Sequence, residues 1–284
     1  MIAITGATGQ LGQLVIEHLL KRNVNPKDIV AVVRNPAAAS ALKEKGIQVR
    51  EGDYAKPQTL EKAFAGVDKV LLISSNELGQ RVVQHQNVVN AAKAVKVKQI
   101  VYTSLLKADT SQMQLAGEHL ATEKAIRASG LNFVFLRNGW YIENYTGQLA
   151  SFLERGAIAG SAQDGKISAA TRSDYAEAAA VVLLSAEKEN KIYELAGASF
   201  TLTNLASIIS EITGKEVVYA DMPVDQYEEL LLNAQLPPAI ASMLSNSDLG
   251  ISRGDLFSES KDLENLIGHK AQPLPDVIKT TAVK

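Results

Sequence analysis

Three glycines at three-residue spacing, Gly6, Gly9 and Gly12, follow the apolar run Ile2-Ala3-Ile4-Thr5 at the start of this 284-residue sequence. A glycine-punctuated turn between a strand and a helix can bring a backbone up to the pyrophosphate of a dinucleotide. Gly6 would make the tight turn off the strand. Gly9 would clear a Cβ from the phosphate path, and Gly12 would let the helix pack closely on the sheet. The N–H groups of the turn and first helical residues (Thr8, Gln10, Leu11) would face the anion, together with the positive end of the helix dipole. Leu14, Val15, Leu19 and Leu20 supply the helical spacing that this reading requires. The competing reading of the glycines is a tight connection with no ligand.

Arg34 directly follows the apolar run Ile29 to Val33. In a dinucleotide fold this strand end meets the adenine ribose, where a carboxylate binds the 2′-hydroxyl of NAD and an arginine accommodates the 2′-phosphate of NADP. No Asp or Glu stands there, because Asp28 precedes the strand. A guanidinium can fork onto a phosphate and stack on adenine. NADPH is therefore the preferred cofactor, with NADH possible; the alternative for Arg34 is a solvated surface side chain.

Later strand ends add candidates. Asp53 could accept from the adenine amino group with Tyr54 along the ring face, or Asp53 could simply cap the next helix. Ser74, Ser75 and Asn76 would pass under the nicotinamide ribose, and Ser104 would lie near the nicotinamide or substrate. Asn138 and Tyr141 carry donors suited to a developing oxyanion or to the carboxamide, and Asn138 is thus both a cofactor-binding and a catalytic candidate. Trp140 and Tyr141 could wall a planar acceptor, although core packing is the common fate of such aromatics.

The elements that must position these residues alternate through the first half. Apolar runs at 29–33, 47–49, 70–73, 100–102 and 133–136 are separated by helical patterns near 9–21, 37–45, 58–65, 80–95 and 113–128. Near-continuous apolar strands between amphipathic helices indicate an α/β fold, a Rossmann doubly wound parallel sheet with its crevice at the carboxyl strand ends. The alternation loosens after about residue 145. Residues 1–145 are predicted to form the NADP-binding domain, completed by a strand near 191–195, and 146–284 a smaller α/β substrate-binding lobe. The polar stretch 245–261 reads as a lid or a surface loop.

Composition narrows the class. Hydrophobic residues make up 46% and charged residues 21%, as in an ordinary globular protein. A net charge of −2, with no basic cluster interleaved with aromatics, disfavours nucleic acid. There are no cysteines, which removes thiol chemistry, and the four scattered histidines lack metal-ligand spacing. No basic or long apolar segment precedes the first strand, so a cytoplasmic protein without a membrane span is expected. Oligomeric state is left open.

Several segments together resemble the NmrA-like group of atypical short-chain dehydrogenases. They are Thr5-Gly-Ala-Thr-Gly-Gln-Leu-Gly12, Val33-Arg34-Asn35-Pro36, Tyr102-Thr103-Ser104-Leu105, Leu136-Arg137-Asn138-Gly139-Trp140-Tyr141, Ala169-Ala-Thr-Arg-Ser-Asp-Tyr-Ala176 and Tyr193-Glu-Leu-Ala-Gly197. The likeness runs along essentially the whole chain and is greatest to the quinone-reducing bacterial members, then to the triphenylmethane-dye reductases. It implies a Rossmann domain with a small C-terminal lobe, NADPH, and hydride transfer to quinones or similar conjugated acceptors.

The family pattern also exposes an absence. Short-chain dehydrogenases carry Tyr-x-x-x-Lys on the helix before the sixth strand, and those positions here are Leu115 and His119. Leucine has no proton for an alkoxide. A quinone needs less help, because hydride addition yields an aromatic hydroquinone anion that water can protonate. His119 could be a modest donor or could bond a ribose hydroxyl; equally, it could be a satisfied core residue. The loss of the pair also admits a different class of function, an NADP(H)-binding redox sensor without turnover.

Overall fold

The computed structural model describes residues 1–186 and 189–283. The chain begins with β1 (Ile2–Thr5), α1 (Gln10–Lys21), β2 (Ile29–Val33), α2 (Ser40–Glu44), β3 (Gln48–Glu51), α3 (Pro57–Phe64), β4 (Lys69–Leu72) and α4 (Arg81–Ala94). It continues with β5 (Gln99–Leu105), α5 (Gln114–Ser129), β6 (Asn132–Asn138), α6 (Glu143–Thr146), α7 (Leu149–Arg155), β7 (Ala157–Gly160), β8 (Ile167–Ser168) and α8 (Arg172–Leu184). The last elements are β9 (Lys191–Leu195), β10 (Ser199–Phe200), α9 (Leu202–Thr213), β11 (Val218–Asp221), α10 (Val224–Asn233), α11 (Pro238–Ser252), α12 (Asp262–Ile267) and α13 (Leu274–Ala282).

Seven strands form one sheet in the order β3-β2-β1-β4-β5-β6-β9. The β1–β2, β2–β3, β1–β4 and β4–β5 pairs are parallel. The order reverses between β1 and β4, the switch point at which such sheets open a crevice beyond their carboxyl ends. Every residue of β2 and β5 is buried, whereas edge strand β3 is not. That contrast is why the central strands read as unbroken apolar runs.

The chain divides into two compact units. The first comprises 1–104, 118–137 and 172–193, and its core includes Val32, Phe64, Val88, Tyr102 and Phe135. There α1 packs on α8, with Arg22 paired to Glu177 at 2.7 Å and His18 Nε2 3.1 Å from Ser173 Oγ. The second comprises 105–117, 138–171 and 194–284, around Phe152, Ile167, Leu205, Ile251 and Ile278. It holds two small sheets, β10–β8 antiparallel and β11–β7 parallel.

The polar stretch 245–261 is not a loop throughout. Its first part, up to Ser252, is the end of α11, and Ser245 and Ser247 are buried. The serines tolerate burial because Ser247 Oγ donates to Met243 O at 2.7 Å and Ser245 Oγ to Glu228 Oε2 at 2.9 Å. Among the described residues no helix is long and apolar enough to cross a membrane, and no group of three or more His, Cys, Asp and Glu could hold a metal ion.

Candidate dinucleotide site

The glycine turn has the geometry that an anion cradle needs. Gly6 adopts φ +59°, in the left-handed region. A Cβ at Gly9 would lie 3.1 Å from Gly6 O, and one at Gly12 would press on Gly6 O and come within 2.8 Å of Ala7 Cα. Gly9 is the N-cap of α1 and contributes no side-chain cap. The first amides of a twelve-residue helix are thus left without a side-chain acceptor at the end of β1.

Beyond this turn lies a groove of about 430 Å³, wholly within the first unit. Gly6, Thr8, Gly9, Arg34, Asp53, Tyr54, Ser74, Ser75 and Asn76, each singled out from the sequence, all line it. Sequence reasoning missed Gln84 and Glu77, which also line it. The four-residue run on from Ser74 would have reached Glu77, but Gln84 stands on α4 and only helical geometry turns it back to the groove.

Each wall residue is held from behind. Tyr54 Oη reaches Thr5 Oγ1 and lies 2.8 Å from Ile73 O, so its hydroxyl is engaged by β1 and the end of β4. Burial raises the pKa of this phenol. Asp53 Oδ1 accepts from Ala55 N at 2.9 Å, a turn-capping role it combines with its place on the wall. Ser74 N donates to Thr103 Oγ1 at 2.9 Å. Ser75 N donates to His85 Nε2 at 2.9 Å, which leaves the imidazole proton on Nδ1, 2.9 Å from Thr122 Oγ1. Desolvation, with Arg81 adding to it, pushes His85 down to about 3 and keeps it neutral.

Other expected residues point elsewhere. Gln10, Leu11 and Gly12 are in the first turn of α1 and do not line the groove wall. The Ser104 hydroxyl donates to Glu123 Oε1 at 2.7 Å, and Glu123 is forked by Arg137 at 2.9 and 2.8 Å. All three are buried, so this hydroxyl serves an interior ion pair. His119 is buried with Nδ1 2.8 Å from Tyr102 Oη. Desolvation drives its pKa well below the ordinary histidine value, with Arg81 and His85 adding to the shift. A neutral interior ring fits the packing role better than proton donation. Leu115, at the other family position, packs against the core of the second unit.

Asn138 ends β6 and is 4% exposed. Its Nδ2 is 3.5 Å from Tyr141 Oη, while Oδ1 is buried with no hydrogen-bond partner among the described residues. A buried amide oxygen without a donor is costly unless something else supplies one. Gly139 N donates to Leu195 O at 2.9 Å, and Tyr141 bridges Ala170, which fixes the backbone around Trp140. Trp140 is partly buried against the core of the second unit.

A parallel sheet with its switch point beside a glycine turn and an arginine at the second strand end defines a dinucleotide-binding α/β protein of the doubly wound class. The chain belongs to the NmrA-like family, which it matches over residues 1–280. It is 52% identical over 279 residues to quinone oxidoreductase 2 of Escherichia coli (strain K12), covering 98% of this chain and 97% of that protein. The crystal structure of the NADPH-dependent quinone oxidoreductase of Escherichia coli complexed with NADPH aligns with a TM-score of 0.96 over 99% of each chain. The triphenylmethane reductase of Citrobacter sp., solved with NADP(H), aligns at 0.94 and 42% identity, over 99% of this chain and 100% of that one.

Proposed function

We propose that this chain is an NADPH-dependent oxidoreductase that reduces quinone-type acceptors. The observation that carries this reading is the groove itself. Its floor is a glycine turn that a Cβ would fill, at an uncapped helix end, and its rim holds Arg34, in a chain 52% identical to a quinone oxidoreductase. The residues present fit the cofactor. Gly6, Thr8 and Gly9, which line the groove, would hold the pyrophosphate, and Gln10, Leu11 and Gly12 behind them would contribute backbone amides and the positive end of α1. Arg34 would bind the 2′-phosphate, Asp53 and Tyr54 the adenine side, and Ser74, Ser75 and Asn76 the ribose. When bound, NADPH supplies the hydride.

Asn138 and Tyr141 are assigned to the reacting end. The unpartnered Asn138 Oδ1 is an acceptor awaiting a donor such as a carboxamide N–H, and the phenol of Tyr141 can donate to an oxygen that gains charge. Trp140 and Tyr141 would offer flat apolar surface to a planar acceptor. With leucine at position 115 the chain has no general-acid tyrosine there, which suits an acceptor whose reduced form is a weak base. Residues 1–145 would carry the cofactor and, through Trp140 and Tyr141, one wall for the acceptor, with 146–284 supplying the rest of the acceptor side. A cytoplasmic enzyme acting on a small molecule, without nucleic acid, fits the near-neutral charge. Purified protein mixed with NADPH and a panel of quinones should oxidise the nicotinamide well above the uncatalysed rate. Tight NADP(H) binding without turnover would instead favour a redox sensor.

A further inference from the structure

Three charged residues stand among the described lining of the groove: Arg34, Asp53 and Glu77. Asp53 is used locally, by Ala55 N and by Lys56 Nζ at 3.8 Å. Glu77 is not. Its Oε1 lies 3.1 Å from Arg34 Nη1, so the groove's one cation already faces a carboxylate.

That carboxylate is held in place. Glu77 Oε2 accepts from Gln84 Nε2 at 2.6 Å, and Glu77 N donates to Ser75 Oγ at 3.2 Å. Ser75 Oγ in turn donates to Gln84 Oε1, which closes a ring of three residues through the Glu77 backbone N–H. The backbone on either side is pinned too. Ser75 O accepts from Arg81 Nε at 2.7 Å, and Gly79 N donates to Glu118 Oε1 at 3.0 Å. Arg81 is itself buried and paired with Glu118 at 2.9 Å. An isolated surface ion pair has little effect. Here the supporting bonds aim Glu77 at the guanidinium.

We propose that Glu77 is a specificity-determining residue of the groove, one that narrows its preference for NADPH over NADH. The proposal rests on the NADPH reading above. Without a 2′-phosphate, Glu77 occupies Arg34. With one, it opposes the phosphate as a like charge and competes for the same guanidinium. Toward NADH the same carboxylate acts favourably, because a carboxylate near the adenine ribose accepts from a free 2′-hydroxyl. One side chain therefore shifts the two affinities in opposite directions.

The test is equilibrium binding by calorimetry on the full chain, wild type against Glu77→Gln, with NADPH, NADH, 2′,5′-ADP and 5′-AMP at one ionic strength. Glutamine keeps the length and an oxygen for Arg34 but removes the charge. Glu77→Gln should bind NADPH and 2′,5′-ADP roughly fivefold more tightly, the scale of one like charge in a partly solvated site. Its affinity for NADH and 5′-AMP should not rise. An unchanged NADPH-to-NADH preference in a wild type that binds NADPH overturns the Glu77 assignment alone. A preference that falls does so as well, since Glu77 would then be positioning Arg34. A wild type that binds neither NADPH nor 2′,5′-ADP overturns the cofactor reading and this proposal together.

Discussion

At the scale of single residues, the site depends on a few groups whose partners differ. Arg34 is exposed, and among the described residues its guanidinium is tied at its tip to Glu77, so its removal should leave the fold intact. Arg34→Ala should weaken NADPH binding by roughly tenfold and leave NADH nearly unaffected, as expected for the loss of one charge-assisted contact. Equal losses for both nucleotides in a titration would refute the phosphate assignment. Asn138 is the opposite case, buried and half satisfied. If Asn138 acts at the reacting end as proposed, Asn138→Ala should lower kcat with quinones by roughly tenfold or more while NADPH binding changes less. Stopped-flow rates beside binding constants would distinguish this from a general loss of structure. The spacing of glycines and the type of residue 34 were legible in the chain. The pairing of Arg34 with Glu77 was not, since it joins residues 43 apart.

At the scale of elements, the contact between the glycine turn and α1 is sterically closed. Gly12→Val would force side-chain atoms onto Gly6 O and Ala7 Cα, either tilting α1 or opening the turn. We expect a stability loss of about 1–3 kcal/mol, typical of overpacking, together with weakened NADPH binding. Urea melts and nucleotide titrations read the two effects separately, and wild-type values in both would contradict the packing role. The Arg137–Glu123 pair joins β6 to α5 with side chains 4% and 1% exposed. Arg137→Ala should cost about 3–5 kcal/mol, because it strands a carboxylate in the interior. A midpoint shift too small for 1 kcal/mol would show that water reaches the pair. Sequence reasoning placed Ser104 just after the fifth strand, whereas it lies within β5, and could not orient its hydroxyl. Strand position sets the backbone, but the donor follows the nearest buried acceptor, here Glu123.

At the scale of the whole molecule, each of the two compact units encloses buried apolar side chains, and a titrating group lies in the second. In the second unit, Asp248 accepts from Ser161 N at 2.9 Å, and burial pushes its carboxyl up to about 6 from 3.8. A folded-state pKa raised above the unfolded value favours the fold fully below about 3.8, and that contribution is lost as pH rises through about 6. Asp248→Asn keeps an acceptor for Ser161 N and should abolish this step. The stability difference between variant and wild type should therefore grow in the variant's favour from pH 4 to pH 6 and then level off. A pH-independent difference in thermal unfolding would argue that the carboxyl stays solvated. The sequence by itself determined the parallel sheet, the position of the glycine turn and the arginine at the second strand end. These follow from local rules: apolar periodicity, backbone freedom at glycine, and the residue directly after a strand. Only the tertiary structure decided what each side chain meets. It turned His119 and Ser104 inward, made residues up to Ser252 helical where the polar composition resembled a loop, and set Glu77 against Arg34. Those outcomes depend on neighbours distant in the chain, whose desolvation and hydrogen bonds no local pattern encodes.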